Sequence, residues 1–208
     1  MKILHNIDKI SAELNKNPDA VFLHSTGRMY GIGCLNGSQK ATEKISCLKE
    51  RPPGKGFIVL IPGFSELARY GVKVSPGELS LMKKYWPGNI TFVLNSEHPD
   101  FKKIGICGTV AFRVPTSAYL RELMLRIGQP VLSTSINKAS KPFAVNLSKI
   151  KKNFGNWFDF GALPKDEILP VNPIPSSIVR CYSQEQRIEL IREGEIPFAE
   201  LKKYFEKG

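Results

Sequence analysis

Three hydroxyls and an amide stand together at Ser133-Thr134-Ser135-Ile136-Asn137, directly after the apolar run Pro130-Val131-Leu132. Such groups hydrogen-bond phosphate oxygens, a carboxylate or a nucleobase without adding charge. Cations recur around them in the sequence: Lys49-Glu50-Arg51-Pro52 with Lys55 beyond it, Arg113-Val114-Pro115, and Arg192-Glu193-Gly194. Arginine offers a planar fork and lysine a point charge, a pairing suited to polyphosphates. Ligands of open α/β sheets bind beyond the carboxyl ends of strands. The combination therefore predicts a polyanion site assembled from several strand ends, with the Ser133–Asn137 run just past one of them.

The chemistry such a site can perform is narrowed by what the chain lacks. No glycine-rich phosphate loop ending in Lys-Ser or Lys-Thr occurs. Tyr30-Gly31-Ile32-Gly33 lacks the third glycine and the strand–turn–helix setting of a dinucleotide fingerprint. Its glycine pair reads equally as a close backbone approach or as a turn or bulge. His24 has no Asp/Ser or Cys companion pattern and reads as a neutral, hydrogen-bonded residue. Trp86-Pro87-Gly88 reads as a structural turn with a packed indole. Lys49 to Arg51 also suits a plain helix terminus, where cations favour the macrodipole. Without a nucleophile–base pair or paired carboxylates, positioning and electrostatics are expected rather than covalent catalysis.

The elements that position these residues follow from apolar spacing. Ile3 to Asn15 has helical periodicity, ended by Asn17-Pro18-Asp19. Short apolar runs at Ala20–Leu23, Phe57–Ile61, Ile90–Leu94, Thr109–Val114, Pro130–Ser133 and Ser177–Cys181 predict strands. Helices are expected from Ser38 to Leu48, after Ser65, after Ser75 with Pro76 in the first turn, and from Ser117 to Ile127. Residues 143–168 carry no clear pattern, and Arg187 to Ile191 with Ile196 to Tyr204 read as a terminal strand or helix pair. Strands alternating with helices imply an α/β fold: a twisted, mostly parallel or mixed open sheet flanked by helices. The 208 residues suit a single domain over 1–208.

Charge and cysteine usage set the setting. Thirty Lys and Arg against 19 Asp and Glu give a net charge of +11, which favours an anionic partner: nucleic acid, a nucleotide or an acidic surface. Cys34, Cys47, Cys107 and Cys181 have no metal-type spacing and read mainly as small core residues of a reduced, cytoplasmic protein. No apolar run reaches a membrane span, so no membrane partner is expected.

In order, these pieces resemble the YrdC-type family of threonylcarbamoyl-AMP synthases. The family's first loop of Pro-Thr-Glu type is here Ser25-Thr26-Gly27-Arg28-Met29-Tyr30-Gly31-Ile32-Gly33, and its Lys-x-Arg-Pro is Lys49-Glu50-Arg51-Pro52. Trp86-Pro87-Gly88, Val110-Ala111-Phe112-Arg113-Val114-Pro115, Ser133 to Asn137, Pro175-Ser176-Ser177-Ile178-Val179 and Arg192-Glu193-Gly194 follow in the family's sequence. The resemblance covers about residues 20 to 196. It implies a YrdC-like fold with a deep basic cavity, and a reaction in which L-threonine, bicarbonate and ATP yield threonylcarbamoyl-AMP and pyrophosphate. ATP would be a substrate, with Mg2+ accompanying it. Partner proteins would pass the group to tRNA. Carried over residue by residue, Lys49, Arg51, Ser133, Ser135, Asn137 and Arg192 face ATP and threonine. Thr26 and Tyr30 lie near the amino-acid end, and Ser176 and Ser177 on the nucleotide side. Lys55 and Arg113 join them as neighbouring cations, with Lys49 and Arg51 as the catalytic pair. The first loop departs at Ser25, Gly27 and Arg28, and Asn89 and Ile136 replace a proline and an alanine. Those departures leave an alternative: a diverged YrdC-like nucleotide or double-stranded RNA binder without synthase activity.

Overall fold

A computed structural model of the chain describes residues 1–50, 56–101, 104–139, 141–182, 185 and 187–206. The chain divides into two compact units, each made from two separate segments: Met1–Lys55 with Ser117–Pro173, and Gly56–Thr116 with Ile174–Gly208.

In chain order, the first segment contains β1 (Ile3–Leu4), α1 (Ile7–Lys16), β2 (Phe22–Ser25), β3 (Tyr30–Leu35) and α2 (Gln39–Leu48). The second contains β4 (Ile58–Leu60), α3 (Glu66–Arg69), α4 (Pro76–Tyr85), β5 (Ile90–Asn95) and β6 (Thr109–Arg113). The chain then forms α5 (Ala118–Ile127), β7 (Val131–Ser135), α6 (Leu147–Phe154) and β8 (Phe160–Ala162), and ends with β9 (Ser177–Tyr182), β10 (Arg187–Arg192) and α7 (Phe198–Phe205). The α/β architecture matches the sequence expectation, and the sheet is mixed. In the first unit the strands run β1-β8-β2-β3-β7. β8 is parallel to both neighbours, while β3 is antiparallel to β2 and β7. In the second unit the order is β4-β6-β5-β9-β10. There β4–β6 and β5–β9 are parallel, and β5–β6 and β9–β10 antiparallel.

The first unit's helices obey their caps. Asn6, Ser38 and Ser117 accept hydrogen bonds from the Lys9, Ala41 and Leu120 amides, and Gly128 ends α5 at φ 68°. These caps satisfy backbone donors that a helix start leaves open. The helices bury Ile10 and Leu14 of α1 and Leu120, Leu123 and Met124 of α5. On the sheet, Phe22 stacks on Phe160 at 5.7 Å between ring centroids. The second unit's core gathers Phe92, Phe101 and Phe112, with the Trp86 indole edge-on to Phe92 at 5.0 Å. Trp86 Nε1 donates to the Ile90 carbonyl at 3.0 Å, and the Trp86–Pro87 peptide is cis. The indole is thus packed in a turn, as the sequence suggested.

Helix α4 opens on a complete capping box. Ser75 Oγ accepts from the Glu78 amide at 3.3 Å, and Glu78 Oε2 accepts from the Ser75 amide at 2.6 Å. Ser75→Ala removes half of it and is expected to cost about 1 kcal/mol. Urea unfolding will check this, and an unchanged midpoint would contradict it.

Several expectations are corrected. Ile3 and Leu4 pair as a strand with Gly161 and Ala162 rather than opening the first helix. The unpatterned stretch contains α6 and β8. Residues 187–192 are a strand and 198–205 a helix. The hydroxyl run does not lie beyond a strand: Ser133, Thr134 and Ser135 are the last half of β7, in register with Gly33, Ile32 and Gly31. Pairing with β3 extends the strand, because the glycines opposite let two backbones and one ring fit together. Of the four free cysteines, Cys34 and Cys181 are buried, but Cys47 and Cys107 are exposed. Among the described residues, no helix is long and apolar enough to cross a membrane.

Candidate functional site

Two clusters of the expected site residues form, one in each unit. The first unit's cluster is built on Lys49, the residue that ends α2. Its side chain is only 4% exposed. Nζ donates to the Ser135 carbonyl, to the Asn137 carbonyl at 2.8 Å and to Asn137 Oδ1 at 2.8 Å. These three acceptors are neutral amide oxygens, which satisfy the ammonium protons without adding negative charge. Asn137 is the hub. Its Oδ1 also accepts from Ser135 Oγ at 2.6 Å, and its Nδ2 donates to the carbonyls of Lys138 at 3.0 Å and Lys141 at 2.8 Å. The Ala139 amide returns a bond to the Lys49 carbonyl at 2.8 Å. The end of α2 and the segment after β7 are thereby locked to each other, with a cation at the join.

Ser133 takes a different partner. Its hydroxyl lies 3.0 Å from His24 Nε2, and both residues are buried. The ring of His24 covers the two glycines of β3. A Cβ on Gly31 would stand 2.6 Å from His24 Cε1, and one on Gly33 would stand 2.9 Å from His24 Cδ2. The glycine pair therefore makes room for an imidazole inside the sheet, in a regular strand and not in a turn or bulge.

The β2–β3 hairpin carries the other first-loop residues. Thr26 Oγ1 donates to the Met29 carbonyl at 3.1 Å, and the Thr26 amide donates to the same oxygen at 3.0 Å. Gly27 turns the chain at φ 84°, a left-handed conformation that suits glycine. Tyr30 pairs in register with Ser25 and is buried, which raises its phenol pKa, with the Glu167 charge adding to the rise. Ser25 Oγ donates to Glu167 Oε1 and accepts from the Gly27 amide at 3.0 Å. Sequence reasoning missed Glu167. It lies in the proline-rich segment after β8, and no local spacing announces a partner 142 positions away.

The second unit's cluster joins Ser176 and Arg192. The guanidinium reaches the Ser176 carbonyl from Nε at 3.1 Å and from Nη2 at 2.7 Å, and the Ser176 hydroxyl from Nη2 at 3.1 Å. Thr91 Oγ1 lies 3.0 Å from Ser176 Oγ. Ser177 is a stitch: its Oγ donates to the Ile196 carbonyl at 2.6 Å and accepts from the Gly194 and Ile196 amides at 3.1 Å each. A Cβ on Gly194 would stand 2.3 Å from the Pro175 carbonyl oxygen, so only glycine permits this approach. Asn89 closes the same corner, donating to the Ile174 carbonyl and to Glu195 Oε2 at 2.8 Å each. Arg113 stands apart from that corner. It is 3% exposed, not a surface arginine, and its Nε donates to the Gly88 carbonyl at 3.0 Å. Arg51 and Lys55 lie outside the described residues.

Among the described residues no group of three or more His, Cys, Asp or Glu side chains could hold a metal ion.

Comparison with known proteins gives consistent likenesses. A family model named Sua5, YciO and YrdC, described as telomere recombination, matches residues 14–194. A protein of Psychromonas ingrahamii named threonylcarbamoyl-AMP synthase is 32% identical over 137 residues, covering 64% of this chain and 72% of that protein. One of the same name from Baumannia cicadellinicola is 30% identical over 178 residues, covering 84% of this chain and 85% of that protein. Among solved structures, P. abyssi Sua5 complexed with L-threonine superposes with a TM-score of 0.80 at 24% identity, over 95% of this chain and 56% of that one. This chain thus spans little more than half of that protein. E. coli YciO gives a TM-score of 0.74 at 23% identity, over 94% of this chain and 95% of that one.

Proposed function

Because this chain belongs to the Sua5, YciO and YrdC family, we propose that it is a threonylcarbamoyl-AMP synthase. It uses L-threonine, bicarbonate and ATP to make threonylcarbamoyl-AMP and pyrophosphate, for threonylcarbamoyladenosine modification of tRNA by partner proteins. The relatives reported above carry the synthase name, which favours this reading over a binder without activity. The observation that carries it is the buried Lys49, whose ammonium donates to the Ser135 carbonyl, the Asn137 carbonyl and Asn137 Oδ1.

In this reading residues 1–208 act as one domain. Threonine's amine, after giving up its ammonium proton, attacks the bicarbonate carbon as the C–OH bond breaks and water leaves, and the resulting carbamate oxygen attacks the α-phosphorus of ATP as pyrophosphate leaves. Negative charge grows on the leaving oxygens, and preorganised cations are worth most where charge develops. Lys49 and Arg51 are the principal cations, with Lys55 next to them in the sequence, and Arg113 and Arg192 are the cations that the second unit contributes to substrate binding. Mg2+ carried by the phosphates would neutralise the same oxygens. Ser133, Ser135 and Asn137 shape the segment that receives the nucleotide, Ser176 and Ser177 set the Arg192 corner, and Thr26 with Tyr30 borders the amino acid.

The test is pyrophosphate release from ATP, with bicarbonate and L-threonine each omitted in turn and L-serine as an alternative. Release that requires both bicarbonate and threonine is expected. Release that ignores threonine, or none from protein that still binds ATP by calorimetry, would overturn the reading.

A further inference from the structure

We infer that Glu167 holds the α-ammonium group of the amino-acid substrate, a specificity contact that rests on the synthase reading above. The first-loop residues Ser25-Thr26-Gly27-Arg28-Met29 contain no acidic side chain, so the hairpin itself offers an incoming ammonium no counter-charge. Glu167 brings one from outside. Ser25, only 2% exposed, pins Oε1 through its hydroxyl, and the Gly27 amide fixes that hydroxyl in turn. Ser25 faces Tyr30 across the hairpin and precedes Thr26, so the carboxylate stands beside both residues assigned to the amino-acid end. Oε2 accepts no hydrogen bond from any described residue, and Glu167 forms no ion pair among them. One oxygen is thus anchored and the other is open to a donor.

The half-buried setting suits this role. Burial raises the Glu167 pKa, which the Ser25 bond partly offsets, so a cation arriving at Oε2 relieves a charge that water solvates poorly. A metal ion is a poor fit, since no further acidic, His or Cys ligands gather there among the described residues. A primary ammonium needs one charged acceptor and neutral oxygens around it, which a carboxylate, a threonine and a tyrosine supply.

The plainer role for Glu167 is a tether holding the 163–170 segment to the hairpin. Glu167→Gln separates the two, because an amide oxygen still accepts from Ser25 while the charge is gone. We expect the KM for L-threonine to rise about 30-fold, the scale of one lost charge-assisted hydrogen bond, with the KM for ATP within about twofold. An active Gln variant with an unchanged threonine KM would overturn the inference and leave the synthase reading intact. No threonine-dependent turnover by the wild type would overturn the synthase reading itself. A second measurement needs no variant: 2,3-dihydroxybutyrate of threonine stereochemistry, with hydroxyl in place of the amine, should compete with L-threonine at least about 30-fold more weakly than serine does. Equal potency would show that no charge holds the amine, and would likewise overturn the assignment.

Discussion

Replacing Lys49 with alanine will lower kcat/KM for ATP about a thousandfold, read as pyrophosphate release with bicarbonate and L-threonine in excess. Two effects add. The charge proposed to face the developing pyrophosphate is lost, and so is the ammonium that binds the Ser135 and Asn137 carbonyls and Asn137 Oδ1. Burial of Lys49 adds a stability cost, because its acceptors are left without their donor at about 1–3 kcal/mol. Arg51→Ala offers the contrast of a second cation in the same motif. Lys49→Arg is not expected to rescue, since a planar fork cannot replace a compact ammonium among three converging oxygens. Activity above a tenth of wild type in Lys49→Ala would remove this residue from the phosphate chemistry.

Gly31→Ala is expected to destabilise the protein by about 3 kcal/mol, the range of overpacking in a tight core. The new Cβ would lie 2.6 Å from His24 Cε1 and 2.7 Å from Nε2, with Ser133 Oγ at 3.2 Å. His24 has no room to retreat: it is fully buried, edge-on to Phe22 at 6.1 Å, and bonded to Ser133. In a His24→Ala background the same substitution should cost under about 1 kcal/mol, because the obstructing ring is gone. Urea denaturation of the four proteins measures the coupling. Equal costs in both backgrounds would show that His24 is not what requires the glycine.

The legible parts of this fold were those with local grammar. Ser38, Ser75 and Ser117 announce their helices because a cap acts within three residues. The strands at 90–95 and 109–113 are legible because their central residues are mostly apolar and largely buried on both faces. β8 escapes notice because Phe160-Gly161-Ala162 is short and Gly161 must admit Ile3, whose Cδ1 would lie 2.4 Å from an added Cβ. At the candidate site, the pairing of Lys49 with Asn137 and of Arg192 with Ser176 joins motifs that sequence order alone could only align. The burial of Arg113 and the Ser25–Glu167 hydrogen bond were out of reach, since each depends on a partner whose position the fold sets rather than any spacing. Gly31 and Gly33 did carry a readable signal in retrospect: small residues two apart, beside a strand bearing one histidine.

The alternation of segments between the two units has a consequence for synthesis on the ribosome. Neither unit is encoded as a continuous stretch, so the first cannot close until β7 and β8 have emerged, long after β2 and β3. The second waits longer still. β9 lies between β5 and β10, so residues 56–116 hold an unfinished sheet edge through the translation of everything up to Tyr182. An exposed edge of Ile90–Asn95 is a ready template for pairing with another nascent chain. The vulnerable period for this protein is therefore the interval between the emergence of β5 and of β9, and premature termination anywhere within it leaves a fragment primed for aggregation.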